Sequence, residues 1–447
     1  MYNEKDNEFI AWYPNCLSRD NAAVTWSKRP AAFYVHIPFC TAICDYCGFS
    51  IERIKGANQD RYFGALDKEI VRYAESGRLS NYQFICGHFG GGTPSAVDAE
   101  RISAIKARIE SLCDVSSDAE YTIEVNPISF NASKSRTYLS SGINRLSFGI
   151  QSFDDEVLNL IGRPHRSDDV KKAIDTAASD GWTNISLDII YGVPGQTVRQ
   201  LEADLRRAAS TGASHLSCFR LEIIPFTILK FREAAGLLPP RHTPDILDTM
   251  DEVVEATLAE FGFIQYGGFN FAKPGYESVH NRIAFMAPQG EYIGFGNSAY
   301  SFINDHVYCN HSDLGSYEQA VYGGLDPIAM AVRVSARERM SRFFVLGLKF
   351  FEVSRRSFID EFGVPPENVF GETIRRLVDG GMILLKGDRY GLTKMGKLYL
   401  NNVCKEFYTP ENRGVPQHLL FNPTVTRKQV EHFAKLATAR RGSEVQP

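Results

Sequence analysis

The chain has 447 residues, 44% of them hydrophobic and 12% aromatic, which excludes a disordered protein and a small disulfide-stapled scaffold. Lys plus Arg number 49 against 53 Asp plus Glu, a net charge of -4, so no nucleic-acid partner is expected. No apolar run reaches the roughly 18 residues of a membrane span, and Met1–Tyr13 carries Glu4, Asp6 and Glu8 where a signal peptide is basic and then apolar, so a cytoplasmic protein without a membrane span is expected.

In chain order, residues 1–32 read as an irregular leader segment, interrupted by Pro14, Asn15, Asp20 and Pro30. From Phe33 onward, β-branched or aromatic runs alternate with amphipathic stretches. Strands are predicted at Phe33–His36, Phe84–His88, Glu120–Val125, Arg145–Ile150, Ile185–Ile190 and His215–Ile223. One intervening helix starts at Ser167–Asp168, puts Val170, Ile174 and Ala177 on one face and stops at Gly181. The next starts near Thr197, aligns Val198, Leu201, Leu205 and Ala208, and ends at Gly212. Six strands with crossovers are too few for an eightfold barrel, so residues 33–325 are expected to form an α/β unit, a partial (β/α)6 barrel or an open sheet with a substrate-side extension. Ligands then collect at the strand C-termini, where the chain places Cys40–Gly48, Gly90–Pro94, Glu124–Pro127, Gln151, Asp188 and Glu222.

Residues 326–426 change style and predict a winged-helix-like α+β domain. Met340–Phe351 is apolar, Val369–Val378 is amphipathic, Met382–Leu385 and Tyr390–Leu392 flank a turn at Lys386–Arg389, and a helix follows over Lys394–Phe407. Acidic Glu372, Asp379 and Asp388 interleave with Arg375, Arg376 and Lys386, which favours a structural or substrate-covering role over DNA binding. Residues 427–447 read as a helical or disordered tail.

Nine cysteines at uneven spacing do not suggest a disulfide framework. Three of them, Cys40, Cys44 and Cys47, form C-x3-C-x2-C just after Tyr34 and His36. Thiolates are the usual ligands of a 4Fe-4S cube, and three local ligands leave one iron open to another molecule. A zinc knuckle completed by His36, or free buried thiols, are the alternatives.

The stretch Tyr34-Val35-His36-Ile37-Pro38-Phe39-Cys40 through Gly48 resembles the radical S-adenosylmethionine superfamily, specifically its HemN-like branch. Further matching motifs are Gly90-Gly91-Gly92-Thr93-Pro94, Glu124-Val125-Asn126-Pro127, Gly149-Ile150-Gln151-Ser152-Phe153 and Asp188 through Pro194. The resemblance implies a 4Fe-4S cluster on Cys40, Cys44 and Cys47 and reductive cleavage of S-adenosylmethionine to a 5'-deoxyadenosyl radical. It also implies an electron donor such as flavodoxin or ferredoxin. By the same resemblance, Tyr34, Gly91, Glu124 and a residue near Phe295 hold the cluster-bound cofactor molecule. Tyr46, Gly92, Thr93, Gln151, Arg163 and Asp188 hold a second S-adenosylmethionine, with Glu222 as a further contact. On physical grounds the glycine run would face a ligand with backbone amides, and Arg163 would meet a carboxylate bidentately.

Departures from the branch's patterns shape the expected activity. Gly48-Phe49-Ser50 lacks the cysteine that follows the cluster motif in coproporphyrinogen oxidases. His280-Asn281-Arg282-Ile283-Ala284-Phe285 keeps only the first pair of the His-Asn-x-x-Tyr-Trp motif of HemW-like heme chaperones, which leaves His280 as a structural residue. A class C methyltransferase-like enzyme that uses the second S-adenosylmethionine for C-methylation or cyclopropanation of an sp2 carbon of an aromatic, quinone or tetrapyrrole substrate is therefore expected, with Glu222 or His165 as the proton acceptor. A heme chaperone and a coproporphyrinogen oxidase-like decarboxylase are the alternatives.

Overall fold

The computed structural model describes residues 29–413, apart from 55, 78, 81 and 286–289. The expected tail at 427–447 and all but the end of the expected leader lie outside the described residues.

Six strands follow the expected alternation: β1 Arg29–Ile37, β2 Tyr82–Gly91, β3 Asp114–Val125, β4 Arg145–Gln151, β5 Ile185–Tyr191 and β6 His215–Arg220. They pair in that order and in parallel, each crossover carrying at least one helix. Later segments extend both edges. β7 Ile264–Gly267 and β8 Asn270–Ala272 add antiparallel strands beside β6. β9 Glu291–Phe295 pairs in parallel with the free side of β1. β10 Tyr300–Ile303, β11 His306–Asn310 and β12 Ile328–Arg333 continue from β9 antiparallel. The order β12-β11-β10-β9-β1-β2-β3-β4-β5-β6-β8-β7 is one open 12-stranded sheet, the curved α/β arrangement of a partial barrel without closure.

The crossover helices stop where local chemistry dictates. Thr197 and Gln200 form a reciprocal capping box at the start of Val198–Ala209, and the preceding helix spans Ser167–Ser179 with Val170, Ile174 and Ala177 buried. Phe33, Val35 and Ile37 on β1 have no exposed surface and pack with Tyr62, Leu66 and Ile70 of the helix Gly56–Glu75. Each such side chain contributes on the order of 2 kcal/mol by burial.

Register brings the polar strand ends to one edge. Ile37 lies beside Gly91, Val125 beside Phe148, Gly149 beside Asp188, and Tyr191 beside Arg220. β6 ends at Arg220 rather than running to Ile223. Leu221 still donates to the Tyr191 carbonyl, but Pro225 follows with no N–H to offer a ladder, and the chain turns away along the sheet edge.

A second core joins the helices Ala336–Gly347, Arg355–Phe362 and Pro366–Asp379 to a small sheet of β13 Glu352–Ser354, β14 Ile383–Lys386 and β15 Arg389–Leu392. It is rich in rings, with Phe344 stacked on Phe407 at 4.4 Å between centroids. The single helix predicted over Lys394–Phe407 is two, Lys394–Leu398 and Leu400–Lys405. Tyr399 between them leaves the helical basin at φ -109, ψ 33, while Leu400 packs closely on Gly268, where a Cβ would sit 2.7 Å from Leu400 Cδ2.

Candidate functional site

Cys40 follows Phe39 in a two-residue pairing with Glu52-Arg53, immediately after Pro38 ends β1. Cys44 and Cys47 lie in the loop that follows, closed by the Cys47 amide on the Cys44 carbonyl at 3.2 Å. Asp45, between them, is pinned from several sides. Its amide donates to Ile161 O at 3.1 Å, its carbonyl accepts from Leu229 N at 2.7 Å, and its carboxylate pairs with Arg232 at 2.8 Å. Both members of that ion pair are buried. A loop of this length has little core of its own, so these contacts set where the thiols point.

All three cysteines line one cavity of about 1210 Å³ that runs along the C-terminal ends of the strands. Burial pushes the Cys40 thiol up to about 11, and burial and then the neighbouring Cys44 and Cys40 push Cys47 up further. Three thiolates crowded at one wall call for a strongly cationic partner, which suits a cluster that takes each thiolate at a separate corner. The zinc alternative fits less well. His36 already uses both ring nitrogens, Nε2–H donating to Ser50 O and Nδ1 accepting from the Tyr34 hydroxyl, each at 3.1 Å.

The glycine run behaves differently from its expectation. Gly91 N–H donates to Glu124 Oε2 at 3.2 Å, Gly92 N–H to Ile37 O at 2.8 Å, and Thr93 N–H to Phe39 O at 2.9 Å. The amides are engaged inside the protein instead of facing a ligand. The missing side chains are what the chemistry needs: Gly91 has φ +113, and a Cβ on Gly92 would fall 2.6 Å from Pro38 O. Thr93 places its hydroxyl 3.3 Å from Cys40 Sγ.

Glu124 ends β3 in the cavity wall and is held by Gly91 N–H and by His88 Nε2 at 2.9 Å. Tyr34 stands behind it, its ring stacked on His88 at 5.9 Å. Gln151 adopts φ 65 at the end of β4, where a register shift breaks the pairing with β5, an uncommon conformation that is a marker of sites. Asp188 accepts from Ser147 Oγ at 3.2 Å and is pushed up to about 6, chiefly by burial and then by the Glu124 charge. Arg163 donates from Nη1 to Cys44 Sγ at 3.1 Å and to the Tyr46 hydroxyl at 3.4 Å and from Nη2 to Gly149 O, and its buried Nε has no partner among the described residues. Tyr46, Gly91, Gly92, Thr93, Glu124, Gln151, Arg163, Asp188 and Glu222 all line the same cavity.

Three expected site residues do not line it. Tyr34 lies behind Glu124, as described. Phe295 is fully buried on β9 with its ring against Tyr73, because strand alternation turns that side chain into the core. His165 has no exposed surface, its Nε2 donates to Ile150 O at 2.8 Å, and burial lowers it to about 4. Such a ring braces the end of β4, which is a correction to its candidacy as a proton acceptor. His280 is likewise packed, its ring 4.7 Å from that of His88. Sequence reasoning missed Phe219, Arg220 and Asp251 in the cavity wall, where the Phe219 ring pairs with that of Phe269 at 4.5 Å and Tyr191 donates to Asp251 at 2.7 Å with Arg220 beside it. Phe219, Arg220 and Asp251 carry no motif, and only the turn of the sheet gathers them.

The comparisons with known proteins match this geometry. The radical SAM superfamily pattern covers residues 34–208, and the HemN C-terminal domain covers residues 334–399. The heme chaperone HemW of Bacillus subtilis (strain 168) is 33% identical over 378 residues, 84% of this chain and 98% of that protein. The chain belongs to the HemN-like branch of the radical S-adenosylmethionine superfamily. Another relative of this HemN-like chain, the oxygen-independent coproporphyrinogen III oxidase of Escherichia coli (strain K12), is 28% identical, with 87% of each chain covered. The solved structure of coproporphyrinogen III oxidase (HemN) from Escherichia coli superposes with a TM-score of 0.75 at 26% identity, covering 86% of this chain and 91% of that one. Membership implies a 4Fe-4S cluster and S-adenosylmethionine. Among the described residues, no helix is long and apolar enough to cross a membrane.

Proposed function

We propose that this protein cleaves S-adenosylmethionine at a 4Fe-4S cluster held by Cys40, Cys44 and Cys47 and handles a tetrapyrrole in the adjoining cavity. The observation that carries this is the cavity itself: one space of about 1210 Å³ is lined by the three cysteines, by the Phe219–Phe269 ring pair and by residues of the C-terminal domain. That is room for a cofactor and a large planar ligand together.

When bound, the cluster supplies the electron that splits the sulfonium of S-adenosylmethionine. The chain's own residues orient the rest. Glu124, fixed by His88 and Gly91, is assigned the methionyl ammonium, and Gly92, with no side chain, lets the glycine run pack against the Pro38 backbone beside it. Gln151, Asp188, Tyr46 and Arg163 are assigned a second S-adenosylmethionine, whose carboxylate Arg163 would meet. Glu222 lines the cavity beside them as a further contact, and an electron donor such as flavodoxin or ferredoxin completes the scheme.

Methyl transfer to an sp2 carbon, expected from the sequence, draws no support from the relatives, which are tetrapyrrole proteins by name. Within the tetrapyrrole class, heme carriage is favoured by the 33% identity to HemW and by Phe49 and Ser50 following the cluster motif without a further cysteine. Oxidative decarboxylation is the second reading, favoured by a substrate space continuous with the cysteines. Anaerobically reconstituted protein given dithionite, S-adenosylmethionine and either heme or coproporphyrinogen III separates them. Stable heme uptake without turnover supports carriage, and carbon dioxide release supports decarboxylation. Binding of neither tetrapyrrole, with S-adenosylhomocysteine released as another acceptor is methylated, contradicts the proposal.

A further inference from the structure

Two segments that line the cavity differ in charge. The helix Pro244–Glu260 of the barrel contributes Asp251, Glu252 and Glu255, whereas the C-terminal part of the chain contributes Lys349, Lys394 and Lys397. Lys394 and Lys397 lie three residues apart in the short helix Lys394–Leu398 and so are neighbours on one turn. Neither is ion-paired among the described residues. Lys397 is steadied from behind, its Nζ 4.2 Å from the centroid of the Phe351 ring. Two adjacent ammonium groups on a concave wall repel each other, and an anion between them relieves that repulsion.

Two further observations point to a bound carboxylate. Lys349 lines the same wall but is only 7% exposed, and burial brings its amine down to about 7, so an arriving anion would favour its protonated form. The Phe219–Phe269 pair lines the same space, an apolar surface for the body of a ligand whose charged edge lies on the lysines. Flexible ammonium groups suit a peripheral carboxylate on a short side chain, since they act as mobile point charges with no fixed fork.

We infer that Lys394 and Lys397 form a carboxylate subsite, through which the C-terminal domain holds an acidic side chain of the substrate while the ring plane rests against Phe219 and Phe269. The inference rests on the tetrapyrrole reading above and adds to it the group recognised and the residues that recognise it.

The test is fluorescence titration of the full-length, anaerobically reconstituted protein with coproporphyrin III and, separately, with its tetramethyl ester, which keeps the macrocycle and removes the charges. For wild type we expect tighter binding of the acid than of the ester. Lys394→Ala/Lys397→Ala should weaken acid binding at least tenfold and leave ester binding unchanged, and Lys394→Arg/Lys397→Arg should restore most of the loss. Thermal melts and S-adenosylmethionine-dependent cluster spectra, unchanged in the variants, keep a folding defect apart from a lost contact. If the alanine variant binds the acid as wild type does, the lysine assignment is overturned while the tetrapyrrole reading stands. If wild type binds neither porphyrin, the tetrapyrrole reading fails and the subsite falls with it.

Discussion

The guanidinium of Arg163 donates to the Sγ of Cys44 at 3.1 Å, while its other branch donates to the Gly149 carbonyl at the end of β4. One cation thereby ties the thiol of Cys44, a cluster ligand in the proposed function, to the strand edge where Gln151 and Asp188 sit. Hydrogen bonds to ligand sulfurs stabilise their negative charge and raise the reduction potential of an iron–sulfur cluster.

Arg163→Met removes that donor at nearly constant volume. The potential of the cluster should move to more negative values by tens of millivolts, read by electron paramagnetic resonance in a redox titration, with iron and sulfide content maintained. An unchanged potential would mean that Arg163 does not touch the cluster environment.

Gly92→Ala should be poorly tolerated, because the new Cβ meets backbone atoms of Pro38, the oxygen at 2.6 Å and the carbon at 2.7 Å, which cannot rotate away. We expect a loss of about 1–3 kcal/mol in urea unfolding together with reduced iron content. Gly371→Ala, in the helix Pro366–Asp379 with nothing within 4 Å, is the contrast and should be neutral or stabilising by about 0.5–1 kcal/mol. Equal effects at the two positions would contradict the steric account.

Arg232→Met strands the buried Asp45 carboxylate inside the cysteine loop. Leaving one member of a buried pair uncompensated costs about 3–5 kcal/mol, and the loop that carries Cys44 and Cys47 should lose its iron faster on dilution. The double variant Asp45→Asn/Arg232→Met should recover part of the stability, measured by denaturant unfolding of both proteins.

Glu69 reports on the wall behind β1. Its carboxylate accepts from Tyr317 Oη at 2.7 Å and from Gly296 N and Asn310 Nδ2 at 2.8 Å each, yet burial outweighs these donors and raises it from 4.5 to about 7. A carboxyl raised in the folded state favours folding below its unfolded value and loses that contribution as pH rises through the folded one. The stability of wild type relative to Glu69→Gln should therefore fall between pH 4.5 and about 7, by up to about 3 kcal/mol at roughly 1.4 kcal/mol per pH unit. A difference independent of pH over that range would contradict it.

Much of this site was legible because its residues sit where strands end. Cys40, Gly91, Glu124, Gln151 and Asp188 each follow an apolar run with period two, so their convergence on one edge follows from the parallel order of the strands. What each does there was less legible. The amides of Gly92 and Thr93 turned out to be tied to Ile37 and Phe39, a long-range pairing that spacing does not encode. His165 looked free in sequence because nothing local announces its bond to Ile150. Phe219, Phe269, Lys394 and Lys397 come from segments far apart in the chain, and only the docking of the second core beside the sheet brings them to one cavity. The break at Tyr399 has the same origin, since contact between Leu400 and Gly268 overrides a continuous helical pattern.

The most direct test is the electron paramagnetic resonance spectrum of the dithionite-reduced protein, reconstituted with iron and sulfide, before and after addition of S-adenosylmethionine. The account predicts a reduced 4Fe-4S signal whose g-values shift on addition, followed by 5'-deoxyadenosine in the supernatant, with both effects lost in Cys44→Ala. A signal that the nucleotide leaves unchanged, or zinc in place of iron at the three cysteines, would contradict it.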